Sequence, residues 1–217
     1  MNKQQRLVFI DLETAGGEPH HPIIQIAAIA VDHEQRQRDV FEMKIAFRES
    51  DACPQSLARF ESRRCQWKRC AVPERQAALT LARFLRRNAF LNKISANRRP
   101  FRVAQLVAHN GPYDGEFLQQ WFARLDVFLP ASFRTLCTMQ RAIWYFRENP
   151  LEPEPVDFKL PTLCRHFGIT LKRNGRHDAL NDVRATVELY RWLALNDHRA
   201  TTLACGQLTT ARVGVVA

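Results

Sequence analysis

The apolar run Leu7-Val8-Phe9-Ile10, followed at once by Asp11-Leu12-Glu13, constrains this chain more than any other segment. Four consecutive apolar residues suit a buried strand, and this one delivers Asp11 at its end. Asp11 and Glu13 are two residues apart, so on a strand both side chains point to the same face. Ionised carboxylates that close repel one another unless a cation sits between them. Hard oxygen donors of this kind suit Mg²⁺ or Mn²⁺.

Two more strand patterns follow. Pro22–Val31 is an Ile-rich run, and apolar residues alternate at Phe41, Met43, Ile45 and Phe47. The polar turns Gly16–Pro22 and Asp32–Asp39 separate the three runs, which predicts a meander. Glu74–Asn92 reads as a helix with Leu81 and Leu85 inward and Arg75, Arg83, Arg86 and Arg87 outward. Phe101–Ala108 is a further buried strand, and Tyr113–Leu125 a helix with Phe117, Leu118 and Trp121 toward the core. Phe133–Cys137 is a candidate fifth strand and Thr138–Phe146 a short helix, before a Pro- and Glu-rich exposed loop at Glu148–Val156. Leu160–Phe167 is a short helix stopped by Gly168. Asp178 is a candidate N-cap for the last strong helix, Ala179–Leu195, whose Val183, Val187 and Tyr190 share one stripe. No repeat or low-complexity linker divides the chain, so 1–196 is expected to be one domain and 197–217 a loosely ordered C-terminal tail.

Of 217 residues, 46% are hydrophobic and 25% charged, the balance of a soluble globular protein. No apolar run approaches the roughly 20 residues of a spanning helix, and Met1–Arg6 carries no export signal, so the expected setting is cytoplasmic, away from membranes. The six cysteines are then expected as free thiols. The spacing of Cys53, Cys65 and Cys70 is not that of a common structural zinc site. The net charge of +10 is localised: 14 of the 32 Lys/Arg but only 4 of the 22 Asp/Glu lie between Arg48 and Arg102, so the remainder is formally neutral. A basic surface confined to one segment attracts polyanions, nucleic acid first among them.

Two more clusters carry chemistry. Asp114 lies in His109-Asn110-Gly111-Pro112-Tyr113-Asp114, after a strand and in the first turn of a helix. His177 and Asp182 lie in His177-Asp178-Ala179-Leu180-Asn181-Asp182, five apart at the start of the last helix. An imidazole there titrates in a range that lets it take a proton from water. His109 is most simply a structural histidine at a strand end.

Taken in order, Asp11-Leu12-Glu13-Thr14, the His109–Asp114 cluster and the His177–Asp182 cluster resemble the three motifs of the DEDDh exonucleases, a group within the DnaQ-like, RNase T-like superfamily. Leu160–Ile169 resembles the helix that precedes the third motif, and the likeness runs from about Leu7 to Leu195. Tyr113 stands where the family usually has Phe, Pro112 stiffens the same turn, and Ala15 replaces a frequent second Thr. Asp178 occupies the position at which the sister group has its tyrosine.

The resemblance implies a ribonuclease H-like α/β fold of three layers, a central mixed five-stranded sheet flanked by helices. It implies a 3′–5′ exonuclease that releases nucleoside 5′-monophosphates from single-stranded nucleic acid, DNA favoured. Asp11, Glu13 and Asp182 would hold one Mg²⁺ or Mn²⁺, Asp11 and Asp114 a second, and His177 would deprotonate the attacking water. Thr14 and Ala15 would contact the terminal nucleotide through backbone groups, with Asn110 close by. Lys172, Arg173 and Arg176, together with the basic segment, would hold phosphates. RNA 3′-end trimming and a non-catalytic nucleic-acid-binding module on the same fold are the alternatives. A polymerase or repair partner and a homodimer both remain open.

Overall fold

Residues 5–60, 67, 69–170 and 178–210 are described by a computed structural model, with no account taken of the side chains of 59, 60 and 197–210. The first three strands form the expected meander. They are β1 (Arg6–Thr14), β2 (Ile23–Asp32) and β3 (Gln37–Lys44), each antiparallel to the next. β2 has nine successive buried residues, the mark of a strand covered on both faces, whereas β3 lies at the edge and alternates. The chain then passes through α1 (Pro54–Phe60) and α2 (Glu74–Arg87). A two-stranded hairpin follows, β4 (Leu91–Ile94) with β5 (Pro100–Val103). β6 (Gln105–Ala108) returns to the main sheet parallel to β1. α3 (Gly111–Arg124) then leads to β7 (Leu136–Cys137), parallel to β6. The mixed five-stranded sheet has the order β3-β2-β1-β6-β7. α4 (Thr138–Glu148), α5 (Leu160–His166) and α6 (Ala179–Thr210) complete the chain.

The alternation of β1 sorts the core into layers. Val8, Ile10 and Leu12 pack with Ala78, Leu81 and Leu85 of α2 and with Phe117, Leu118 and Trp121 of α3. Phe9 faces the opposite way, onto Ala179, Val183 and Val187 of α6. A second core beneath α6 joins Tyr145 and Phe146 of α4 to Leu163 and Cys164 of α5 and to Leu189 and Leu193. Phe167 and Trp192 stack there with centroids 3.8 Å apart. α5 ends as its sequence indicates. Gly168 has φ +68°, Ile169 N–H donates to Cys164 O (2.7 Å), and Gly168 N–H donates to Arg165 O (3.3 Å), the two bonds of a Schellman stop.

Several expected boundaries move. The helix from Glu74 ends at Arg87 rather than Asn92, because Asn88 is held from three sides. Its Nδ2 donates to Phe84 O (3.0 Å) and Asp39 Oδ2 (3.2 Å), and its Oδ1 accepts from Arg6 (3.0 Å). The expected strand 101–108 breaks at Ala104, which pairs instead with Ala131, so its first half joins the hairpin. The fifth strand shrinks from 133–137 to Leu136–Cys137. The last helix continues past Leu195 to Thr210. No helix among the described residues is long and apolar enough to cross a membrane.

α3 seats against β7 through Gly111, where an added Cβ would come 2.9 Å from the backbone oxygen of Leu136. Gly111→Ala is therefore expected to destabilise the protein by about 1–3 kcal/mol, the usual cost of overpacking, and so to lower the denaturation midpoint. Gly→Ala inside an open helix has the opposite sign. An unchanged or raised midpoint contradicts the tight seat.

Candidate active site

β1 outruns its parallel neighbour. Its pairing with β6 covers only Leu7, Val8 and Phe9, and β6 stops at Ala108, while β1 continues to Thr14 against β2 alone. A gap therefore opens beside residues 10–14 at the carboxyl ends of two parallel strands, the usual place for a ligand in sheets of this kind. The first turns of α3 and α6 both reach this gap. A register shift between Glu13 and Thr14 marks the end of regular pairing, a feature common beside active sites.

Asp11 and Glu13 continue the face that Phe9 presents to α6, so they stand on the side from which Asp182 approaches in that helix's first turn. Ligand oxygens of Asp11, Glu13 and Asp182 all lie within 4.8 Å of one another. Asp178 caps the helix, its Oδ1 accepting the Leu180 N–H at 3.0 Å. Asp114 arrives from the other side of the sheet. It is buried, at 5% exposure, and its carboxyl accepts the N–H groups of Leu12 and of Asp114 itself.

The electrostatics follow from this crowding. Burial pushes Asp114 from 3.8 up to about 7, against the pull of its two backbone donors. Asp11 is raised well above the usual carboxylate range, first by burial and then by the charges of Asp114, Asp182, Glu13 and Asp178. Four acids acting on one half-buried carboxyl form an arrangement that a divalent cation relieves. The all-oxygen donor set of the nearest three fits Mg²⁺ or Mn²⁺. Burial, with the Asp182 charge behind it, also pushes the Cys164 thiol up to about 12, so that cysteine is an inert core residue.

The other expected residues divide. Asn110 is exposed at the head of α3 and its side chain makes no capping bond, which leaves it available to a substrate. Thr14 Oγ1 donates to Gly16 O at 2.7 Å and lies 2.9 Å from the Tyr113 hydroxyl. Ala15 lies at the start of the loop after β1. It is buried at 3% exposure, its N–H donates to Pro22 O (2.8 Å) and its oxygen accepts from Cys53 N–H (2.7 Å), so its backbone groups serve the loop. His109 is structural. Its Nε2 lies 2.9 Å from Phe158 O, so that nitrogen carries the proton and Nδ1 accepts from Thr138 Oγ1 at 3.1 Å. Burial lowers its pKa, in keeping with a neutral ring. His177, Lys172, Arg173 and Arg176 lie outside the described residues.

Tyr113 was legible only as a departure from Phe. Its ring packs on Phe117, with centroids 4.6 Å apart, and its hydroxyl fastens the end of β1 to α3 through Thr14 and, at 3.4 Å, Gly16 O.

Comparison with known proteins agrees with this geometry. The family model RNase_T, described as an exonuclease, matches residues 8–190. Exonuclease I of E. coli, in complex with a dT13 oligonucleotide, superposes with a TM-score of 0.70 at 19% identity over 92% of this chain and 43% of that one. Exonuclease I of Methylocaldum szegediense superposes with a TM-score of 0.71 at 16% identity over 93% of this chain and 43% of that one. In sequence, 81 residues are 38% identical to a PolC-type DNA polymerase III of Oceanobacillus iheyensis, covering 37% of this chain and 5% of the polymerase. The chain thus spans less than half the length of these exonucleases and a small part of the polymerase. Its sheet order and flanking helices are those of the ribonuclease H-like fold seen in Exonuclease I. A family match across most of the chain, laid over a cleft lined by four acids, shows that this chain belongs to the RNase_T exonuclease family, the DEDD 3′–5′ exonucleases.

Proposed function

We propose that this exonuclease domain removes nucleoside 5′-monophosphates from the 3′ end of single-stranded DNA, using two divalent cations and His177 as general base. The observation that carries the reading is the convergence of Asp11, Glu13 and Asp182 within 4.8 Å, with Asp114 near enough to raise Asp11. When bound, the two cations would activate the attacking water and stabilise the entering and leaving oxygens of the phosphodiester. Asp11, Glu13 and Asp182 are the proposed ligands of one ion and Asp11 with Asp114 of the other. His177, one residue before the Asp178 cap, would take the water proton. Asn110 and Thr14 would orient the terminal nucleotide, and Lys172, Arg173 and Arg176 would hold its phosphates. DNA is favoured because Exonuclease I, which shares this fold, has been crystallised with dT13, and because the sequence relative is a DNA polymerase.

A 5′-labelled single strand incubated with Mg²⁺ is expected to shorten stepwise from its 3′ end, DNA faster than RNA of the same sequence. An intact strand in both Mg²⁺ and Mn²⁺ contradicts the enzyme, and faster RNA loss contradicts the preference. His177→Ala is expected to lower the single-turnover rate about 10²–10⁴-fold, the typical worth of general base catalysis, while Mg²⁺ still raises the melting temperature. A wild-type rate in that variant removes His177 from the chemistry.

A further inference from the structure

We propose that Phe133, with Lys93 and Arg134 beside its ring, forms a stacking subsite for a base of the single strand upstream of the cleaved bond. The inference rests on the single-stranded substrate proposed above and adds where that strand is held. Phe133 is 66% exposed, too open for a core side chain. Two cations attend its ring, the Lys93 ammonium 6.0 Å and the Arg134 guanidinium 5.4 Å from the centroid. Among the described residues neither is paired with a carboxylate. An exposed aromatic ring with unpaired positive charge over it, free to swing from the ring to a phosphate, is a pattern that holds a base and its phosphates without reading sequence.

The surroundings repeat that chemistry. The β4–β5 hairpin that carries Lys93 also exposes Arg98, Arg99 and Arg102 and has no acid between Leu91 and Val103. Its turn is fixed by Ser95 N–H to Arg99 O (2.9 Å) and Arg99 N–H to Ser95 Oγ (3.0 Å), so the charges stand on a defined ribbon. The hairpin lies within the segment that supplies the whole net charge of +10.

The position suits a strand leaving the active site. Residues 133–137 run back along α3. Gln119 Nε2 donates to Phe133 O (3.4 Å), and added Cβ atoms at Gly115 and Gly111 would come 2.7 Å from Thr135 Oγ1 and 2.9 Å from Leu136 O. Gln119 is five residues past Asp114 on the same helix, about 7.5 Å along its axis at 1.5 Å per residue. A strand of a few nucleotides whose 3′ end lies at the acids can reach that far along α3.

The test is metal-free binding of 5′-fluorescent oligothymidylates in EDTA, comparing a dinucleotide with a dodecanucleotide. Phe133→Ala is expected to weaken dodecamer binding about tenfold, within the measured range for one base–aromatic stack, and to leave dinucleotide binding unchanged. Phe133→Trp should retain the affinity. Lys93→Glu with Arg134→Glu should reduce the slope of log affinity against log salt by about 1.4, the share of two phosphate contacts. Wild-type binding by Phe133→Ala together with an unchanged salt slope overturns the subsite, as does equal weakening at both lengths. Should Phe133→Ala melt below the assay temperature, the charge-reversal pair decides. Because binding is read without cleavage, a wild-type protein that binds but does not cut refutes the proposed activity while this series still decides the subsite.

Discussion

Asp11→Asn is expected to lower the cleavage rate by at least about 10²–10³-fold, the cost of removing one preorganised electrostatic group from a site of developing charge. The same variant should be more stable than wild type without metal near neutral pH. Asp11 is a half-buried carboxyl raised by desolvation and by the charges of Asp114, Asp182, Glu13 and Asp178, and a neutral amide of the same shape ends that repulsion. For a chain this long, each kcal/mol regained appears as about 2–4 °C in the melting temperature. Mg²⁺ should reverse the ranking. A ligand at 100 times its Kd contributes about 2.7 kcal/mol to the protein that binds it, and the variant has lost an oxygen shared by both proposed ion sites. Paired melting curves with and without Mg²⁺ check this. A variant that cuts at the wild-type rate, or gains as much from Mg²⁺ as wild type does, contradicts the assignment.

The second large effect concerns pH. Asp114 moves from 3.8 to about 7 on folding, and Asp11 is also raised. Between those values the folded, metal-free protein holds protons that the unfolded chain has released. Stability should therefore fall as pH rises from 3.8 through about 7, by an amount of order a few kcal/mol. The carboxyls whose pKa is lowered, Asp32 and Asp157, act in the opposite direction and below this window. Saturating Mg²⁺ stabilises the ionised form, so the slope should flatten and ion binding should release protons. Urea unfolding across this range, with and without Mg²⁺, measures both effects. Asp114→Asn should remove much of the metal-free slope, and a stability that is flat or rises with pH without metal contradicts the picture.

What could be read from sequence was local. The two-residue period of β1 placed Asp11 and Glu13 on one face, and the Asp178 cap placed Asp182 near the start of α6, where the structure has it in the first turn rather than the expected second. Features made by distant partners could not be read this way. Asn88 ends α2 because Arg6 and Asp39, 82 and 49 positions away, hold its amide. Asp114 owes its burial to β1 outrunning β6, a consequence of sheet register. The hydrogen bonds of the Ala15 backbone to Pro22 and Cys53 also join positions that no local pattern connects. The β4–β5 hairpin escaped notice because Leu91–Ile94 alternates weakly and its pairing depends on the Ser95–Arg99 turn. Phe133 read as the start of a strand, and only its exposure beside two cations singles it out.

The central claim is that four carboxylates make one cation-dependent centre for cutting phosphodiesters. The most direct measurement titrates Mg²⁺ into metal-free protein and follows, on the same samples, release of the 3′-terminal nucleotide and the rise in melting temperature. Both responses should appear together in wild type, and both should be lost or strongly weakened in Asp11→Asn. Cleavage that persists in excess EDTA, or an undiminished Mg²⁺ response in the variant, would contradict it.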